Sequence, residues 1–259
     1  MGKAVDILVI DDEQVVREGV SRVCEVAGLT VDAAADAANG LECLRKGHYR
    51  LVLCDIMLPD RDGFQILKET REAGISTPVI MITGCSTLQN AVQALKDGAV
   101  DFIPKPFTVD ELDSGIQRGL RLQQILEGKE GADRGRACPK GFFRLGDLSW
   151  VQIEPNGVGA IGVTDRFMRT VGPVKELTFA DVNRDLVQAS SCASMTTEDG
   201  LVHEILCPVS GRIVTRNETL LANPGLLSDD PYHEGWLYQI VPTELGYELD
   251  NLTPCSEEY

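Results

Sequence analysis

In the first half of the chain, short apolar runs alternate with stretches whose apolar residues recur every three or four positions. The runs Asp6 to Ile10, Thr30 to Ala33, Leu51 to Asp55, Pro78 to Thr83 and Val100 to Pro104 predict strands. Between them, Gln14 to Ala27 carries Val15, Val16, Val20, Val23 and Val26 at helical spacing, and Ala34 to Lys46 carries Ala37, Leu41 and Leu44. Gly63 to Glu72, residues 86 to 96 and Val109 to Leu126 complete five predicted helices, with Gly28, Gly47 and Gly98 as stops. Short apolar strands alternating with amphipathic helices imply an α/β fold, a doubly wound five-stranded parallel sheet with right-handed crossovers.

That topology brings every strand's C-terminal end to one edge, where such sheets place their chemistry. The residues closing the strands are Asp11 and Asp12, Asp55, Thr83 and Lys105. Three carboxylates in one crevice repel one another unless a cation offsets them. A hard divalent ion with oxygen ligands, Mg²⁺, fits and is typically paired with phosphate. Asp55 can then attack a phosphoryl donor to give an acyl phosphate, with Lys105 and Mg²⁺ offsetting charge on the transferring oxygens and Thr83 placed to bond the new group.

These positions carry a specific resemblance. Ile-Leu-Val-Ile-Asp-Asp-Glu at 7 to 13, Leu-Cys-Asp-Ile-Met-Leu-Pro-Asp-Arg-Asp-Gly at 53 to 63, Val-Ile-Met-Ile-Thr-Gly at 79 to 84 and Gly-Ala-Val-Asp-Phe-Ile-Pro-Lys-Pro-Phe at 98 to 107 resemble the receiver domain of two-component response regulators, a CheY/flavodoxin-like fold. The resemblance implies that Asp55 takes a phosphoryl group from a sensor histidine kinase. It implies that Asp12, Asp55 and the Met57 carbonyl hold Mg²⁺, with Asp11 acting through a bound water. Thr83 and Phe102 would form the switch pair, and Lys105, before a cis Pro106, would contact the phosphoryl group. Arg118, Asp97 and Asp101 could pair across a dimer face formed on phosphorylation, as in some receivers, or lie on a solvated surface.

The pattern changes near residue 127. Residues 128–141 lose the apolar period, gain glycines and read as a linker between a domain at 1–127 and another at 142–259. The second half is short and strand-like: Leu148 to Ile153, a Glu154-Pro155-Asn156-Gly157 turn, Val158 to Val163, Val174 to Thr178, Asp185 to Ser190, Gly200 to Leu206, Gly211 to Thr215 and Gly235 to Pro242. Thr164-Asp165 predicts the cap of a helix ending at Gly172-Pro173. Many short strands with glycine and proline turns imply a mostly β barrel-sandwich. His203 and His233 are isolated and have no metal-site spacing.

Residues 142 to 242 resemble the H-protein of the glycine cleavage system, a lipoyl-carrier fold. The likeness rests on Gly159-Ala160-Ile161-Gly162-Val163-Thr164-Asp165, on Cys207-Pro208-Val209-Ser210-Gly211 with the strand after it, and on Asn223-Pro224-Gly225 through Gly235-Trp236-Leu237. In that family a hairpin lysine eight residues before the Pro-Val-Ser-Gly turn carries lipoate. Here that position is Gly200, between Glu198-Asp199 and Leu201, and no lysine follows Lys175. Lipoylation needs a primary amine, so no lipoate is expected; the acids suggest a recognition hairpin or a solvated turn.

Charge narrows the partners. The net charge is −16, with 13 basic and 20 acidic residues in 1–127 and 7 against 18 in 142–259. Neither half offers the basic surface that nucleic-acid binding requires. No apolar run approaches the roughly 18 residues of a membrane span, and the first residues lead directly into a strand, so a cytoplasmic protein is expected. The eight scattered cysteines, lacking any Cys-x-x-Cys, then read as small buried hydrophobes rather than a disulfide scaffold. The combined expectation is a response regulator with a non-DNA-binding, protein-binding output and slow self-dephosphorylation rather than a dedicated enzyme. The alternative is a non-lipoylated scaffold docking onto glycine-cleavage or lipoate enzymes.

Overall fold

The computed structural model describes residues 5–84, 87–128 and 135–255, which fall into two compact units. The first contains strands β1 (Ile7–Ile10), β2 (Val31–Ala34), β3 (Leu51–Asp55), β4 (Val79–Thr83) and β5 (Asp101–Pro104). Between and after them come helices α1 (Gln14–Val26), α2 (Ala37–Lys46), α3 (Gly63–Glu72), α4 (Leu88–Lys96) and α5 (Val109–Leu126). All strand pairs are parallel in the order β2-β1-β3-β4-β5, the doubly wound arrangement that the periodicity predicts.

Central strands β1, β3 and β4 are buried along their whole length, which is why they read as continuous apolar runs. Ile7, Val9, Leu51, Leu53, Ile80 and Ile82 pack with Val20 and Cys24 of α1 and with Leu112, Ile116 and Leu120 of α5. Helix starts are set locally. Thr108 accepts from the Glu111 backbone while Glu111 accepts from that of Thr108, a capping box whose Thr side chain contributes about 1 kcal/mol. Asp36 and Asp62 cap α2 and α3.

One expectation for α1 changes. Val15 and Val26, counted on the apolar face of α1, are 73% and 92% exposed, because Val16, Val20, Val23 and Cys24 fill the stripe facing the sheet. Residue 86, the expected start of α4, lies outside the described residues.

The second unit contains β6 (Phe142–Leu145), β7 (Ser149–Ile153), β8 (Gly159–Val163), α6 (Asp165–Val171), β9 (Val174–Phe179), β10 (Asp185–Leu186), β11 (Ser191–Thr197), β12 (Val202–Leu206) and β13 (Gly211–Arg216). Short helices α7 (Thr219–Ala222) and α8 (Leu226–Asp229), β14 (Trp236–Pro242), α9 (Leu245–Glu248) and β15 (Thr253–Pro254) follow. A seven-stranded sheet in the order β10-β13-β14-β8-β7-β6-β15 is accompanied by a three-stranded sheet, β12-β11-β9. Phe142, Trp150 and Tyr232 form an aromatic cluster, with Phe142 and Trp150 ring centroids 4.9 Å apart.

Three readings of this half are corrected. Strand β11 went unpredicted because Ser191-Cys192-Ala193-Ser194-Met195-Thr196-Thr197 is built from small and hydroxyl residues; pairing on both sides, with β12 and β9, makes it a strand. The strand expected over Asp185 to Ser190 ends at Leu186, and Ala189 takes a positive φ of 60°. Gly200, expected to begin a strand, lies in the turn joining β11 to β12, with φ +86°.

The described cysteines divide, and Cys85 lies outside the described residues. Cys24, Cys43, Cys54, Cys192 and Cys207 are thiols, as expected for buried or half-buried hydrophobes. Cys138 and Cys255 instead form a disulfide across 117 residues of sequence. A pairing at that distance leaves no local spacing signal, so the expectation of free thiols fails at these two positions.

Candidate functional site

Asp55 and Thr83 close strands of the parallel sheet and Asp11, Asp12 and Lys105 lie just past strand ends, so the fold carries all five to one edge. Asp55 ends β3 and is 3% exposed; Asp11 follows β1 and is 1% exposed; Asp12 beside it faces solvent. One carboxylate oxygen from each of Asp11, Asp12 and Asp55 lies within 4.8 Å of the other two. Lys105, past the end of β5, sends its Nζ to Asp55 at 2.6 Å, to Asp11 at 2.8 Å and to Glu13 at 2.8 Å.

The charges are unbalanced. Three carboxylates, those of Asp11, Glu13 and Asp55, pair with one ammonium group, and two of them are out of water. Burial raises the Asp11 pKa above the ordinary carboxylate value despite the Lys105 and Glu13 backbone hydrogen bonds, with the Asp55 charge adding to the effect. Burial works against the charge on Lys105 too, but its bonds to Asp11, Asp55 and Glu13 outweigh this and hold its pKa above the usual lysine value. Oxygen-only donors with one member open to solvent fit a hard cation that keeps part of its water shell. Neighbouring Cys54 is fully buried and its thiol is pushed far up by burial, which leaves it unreactive.

The backbone around Asp55 is tightly specified. The Met57 amide donates to Asp55 Oδ1 at 3.0 Å, and Met57 forms a β-bridge with Asp62. Gly63 donates to the Ile56 carbonyl; a Cβ at Gly63 would lie 2.1 Å from the Asp55 carbonyl oxygen, so only glycine lets the chain turn into α3 this close. Thr83 is fully buried, and its carbonyl accepts from the Lys105 amide at 2.8 Å. Phe102 on β5 is half-buried, and the Lys105-Pro106 bond is cis, as the resemblance implied. Arg118 pairs with Asp101 of its own chain, so that pair needs no second copy.

Three contributors escaped the sequence reading of roles. Glu13 holds Lys105 from the solvent side. Arg17 donates to the Asp11 carbonyl at 2.6 Å. Asp60 accepts from the Ala37 and Ala38 amides at 2.9 and 3.0 Å, tying the loop after β3 to the start of α2. Glu13 stood within the quoted Asp-Asp-Glu; Arg17 reaches back from the first turns of α1 to a backbone carbonyl, which no residue type marks, and the Asp60 pairing joins two separate loops.

In the second unit, Gly200 sits at the exposed turn of the β11–β12 hairpin with Glu198 and Asp199. The residues named from the turn motif serve structure: Ser210 accepts from the Gln188 amide and its own amide donates to the buried Glu248 carboxylate. His203 is buried in β12, and His233 is exposed with Nδ1 3.1 Å from Asp230. Among the described residues the aspartate trio is the one carboxylate, histidine or cysteine group that could hold a metal, and no helix is long and apolar enough to cross a membrane.

Residues 7–117 match the response regulator receiver domain family, and residues 144–257 match the glycine cleavage H-protein family. Over 124 residues the chain is 40% identical to the transcriptional regulatory protein DltR of Streptococcus agalactiae serotype III (strain NEM316), covering 48% of this chain and 55% of that protein. The chain thus spans about half the length of this curated relative. Among solved structures it is similar to a CheY-like response regulator receiver domain protein from Methanospirillum hungatei JF-1, at 32% identity and a TM-score of 0.45, covering 50% of this chain and 100% of that one. A glycine cleavage system H protein from Mycobacterium marinum is 26% identical with a TM-score of 0.39, covering 41% of this chain and 87% of that one.

Proposed function

We propose that this chain, a response-regulator receiver domain joined to a glycine cleavage H-protein-like domain, is a phosphorylation-switched regulator whose output is protein binding. The observation that carries the reading is the position of Asp55: buried at the end of β3, 2.6 Å from Lys105 and beside the Asp11 and Asp12 carboxylates. An Asp55 carboxylate oxygen attacks the phosphorus of a phosphohistidine, the phosphorus–nitrogen bond breaks, and the donor histidine leaves as a neutral imidazole after taking a proton. Lys105 offsets charge on the transferring oxygens. Asp12, Asp55 and the Met57 carbonyl would hold Mg²⁺, with Asp11 acting through a water, and the ion when bound supplies further charge neutralisation.

The new group adds a charge of about −1.5 to −2 at a buried strand end. Thr83 takes the hydrogen-bonding role and Phe102 the coupled switch role in this reading, with slow self-dephosphorylation resetting the site. The donor is a sensor histidine kinase, the compartment the cytoplasm, and the phosphorylated protein is open to forming a homodimer. We take 1–127 as the receiver, 128–141 as the connecting segment and 142–259 as the output domain. The acidic balance of the output domain, 7 basic against 18 acidic residues, favours a protein partner over nucleic acid.

A small phosphodonor such as acetyl phosphate tests the chemistry. The full chain with Mg²⁺ should gain the mass of one phosphoryl group, and neither Asp55→Ala nor wild type in chelator should gain it. Uptake by Asp55→Ala equal to wild type would overturn the assignment. The second reading, a scaffold for glycine-cleavage or lipoate enzymes, is favoured by the H-protein family match over 144–257. Direct binding assays with purified enzymes of those classes decide it: binding independent of Asp55 supports a scaffold, and no binding removes it.

A further inference from the structure

The Cys138–Cys255 disulfide takes no part in the chemistry at Asp55, and its location is informative. Cys138 lies just before β6, in the segment by which the chain comes into the second unit. Two residues earlier, the Arg136 amide donates to the buried Asp165 carboxylate at 3.0 Å and its guanidinium donates to the Ser228 carbonyl at 2.8 Å. Cys255 directly follows β15, a two-residue edge strand that pairs with β6 through Thr253 opposite Arg144 and Pro254 opposite Phe143. The Cys255 amide donates to the Phe142 carbonyl at 2.8 Å. The disulfide therefore joins the incoming segment to the last strand of the sheet.

The rest of that sheet does not depend on it. Strands β6, β7, β8, β14, β13 and β10 are held by their own ladders. Cys192 and Cys207, in side-chain contact in the core of the same unit, are thiols. On the phosphoacceptor reading, the protein works where its donor is made from ATP, inside a cell, where thiol pools keep most disulfides open and those that form are typically transient or redox-sensing. Cys138 and Cys255 are 6% and 8% exposed, so a reductant reaches them when the short edge strand opens locally, the kind of segment that opens at low free energy.

We propose that Cys138 and Cys255 form a reversible redox modification site whose reductant is a dithiol. One reductant thiolate attacks a disulfide sulfur, the sulfur–sulfur bond breaks and a mixed disulfide forms. The reductant's second thiolate displaces the remaining cysteine and leaves as a disulfide; two electrons and two protons end on the Cys138 and Cys255 thiols. Reduction frees β15 from the incoming segment and loosens residues 136–141, while the Asp55 site keeps its chemistry. Oxidation state thus sets how firmly the connecting segment is anchored to the output domain, independently of phosphorylation.

The test equilibrates the full chain in buffers of reduced and oxidised dithiothreitol, a dithiol whose disulfide form returns the two electrons in the reverse exchange, quenches with acid and alkylates the unfolded protein. Two more cysteines should label at the reducing end than at the oxidising end, and Cys138→Ser and Cys255→Ser should abolish that step. Both tryptophans of the chain, Trp150 and Trp236, lie in or against the cluster holding the disulfide, so their fluorescence should rise on reduction, when the quenching disulfide is lost. Hydrogen exchange should accelerate first and most at 136–145 and 252–255, with phosphoryl uptake at Asp55 unchanged within about twofold. If no two-cysteine step occurs, if reduction requires global unfolding, or if exchange at those segments does not change, the proposal is overturned. Loss of phosphoryl uptake in both redox states would instead count against the phosphoacceptor reading, leaving the redox step to be judged on its own readouts.

Discussion

The β3 terminus and the β11–β12 hairpin each turn on a single position, and the two carry opposite chemistry: a buried carboxylate at Asp55 and no side chain at all at Gly200. At the first, the Asp55 carboxylate lies 2.6 Å from Lys105 and beside the carboxylates of Asp11 and Asp12. At the second, the turn that on the resemblance presents a lysine presents Gly200, while the strands around it keep their pairing. The difference shows that a fold is held by residues other than those that react. The hairpin stands on β11 pairing with β12 and β9, on buried Met195 and Ile205, and on a glycine with positive φ; none of these is the reactive group.

The largest expected effect repeats on the receiver what the hairpin already shows. Asp55→Ala should abolish phosphoryl uptake while leaving the urea unfolding midpoint of the receiver unchanged or higher, since it removes one of several crowded carboxylates. A variant that fails to fold would mean that reactive and structural roles coincide at β3, and the comparison would collapse. Next, Cys138→Ser should destabilise the oxidised second domain by about 4 kcal/mol, from the loop-closure entropy that a long disulfide loop removes from the unfolded chain. Chemical denaturation with and without reductant measures it: reductant should bring wild type down to the variant and leave the variant unmoved.

Smaller effects sharpen the contrast between two glycines. Gly63→Ala should cost about 3 kcal/mol and impair phosphoryl uptake, because its Cβ would meet the Asp55 carbonyl at 2.1 Å and displace the residue that reacts. Gly200→Ala meets no atom within 4 Å and should cost only about 1 kcal/mol, through the unfavourable positive φ, with phosphoryl uptake untouched. Equal costs at the two positions, read from paired unfolding curves, would show that close packing at Asp55 is less demanding than the geometry implies.

Much of this was legible along the chain. The receiver's strands are buried on both faces and so appear as unbroken apolar runs, Ile7 to Ile10 and Val79 to Thr83 among them, and the parallel topology then forces their ends together. The second unit was less legible, because antiparallel strands of small and hydroxyl residues such as Ser191 to Thr197 owe their conformation to neighbours rather than to their own pattern. Val15 and Val26 mislead for a related reason: helical spacing names a face but not how wide a stripe the sheet covers.

What the sequence by itself determined is the set of local patterns and the reactive residues at their ends: the five strand-helix repeats, Asp55 with its partners, and the absence of any lysine after Lys175. Only the tertiary structure decided which distant groups meet: Glu13 on Lys105, Asp60 on the first turn of α2, Arg118 on Asp101, and Cys138 on Cys255. The physical reason is range. Periodicity and capping act over a few residues and are written in the order of the chain, whereas these contacts join segments 17 to 117 residues apart, and only the packed fold brings them together.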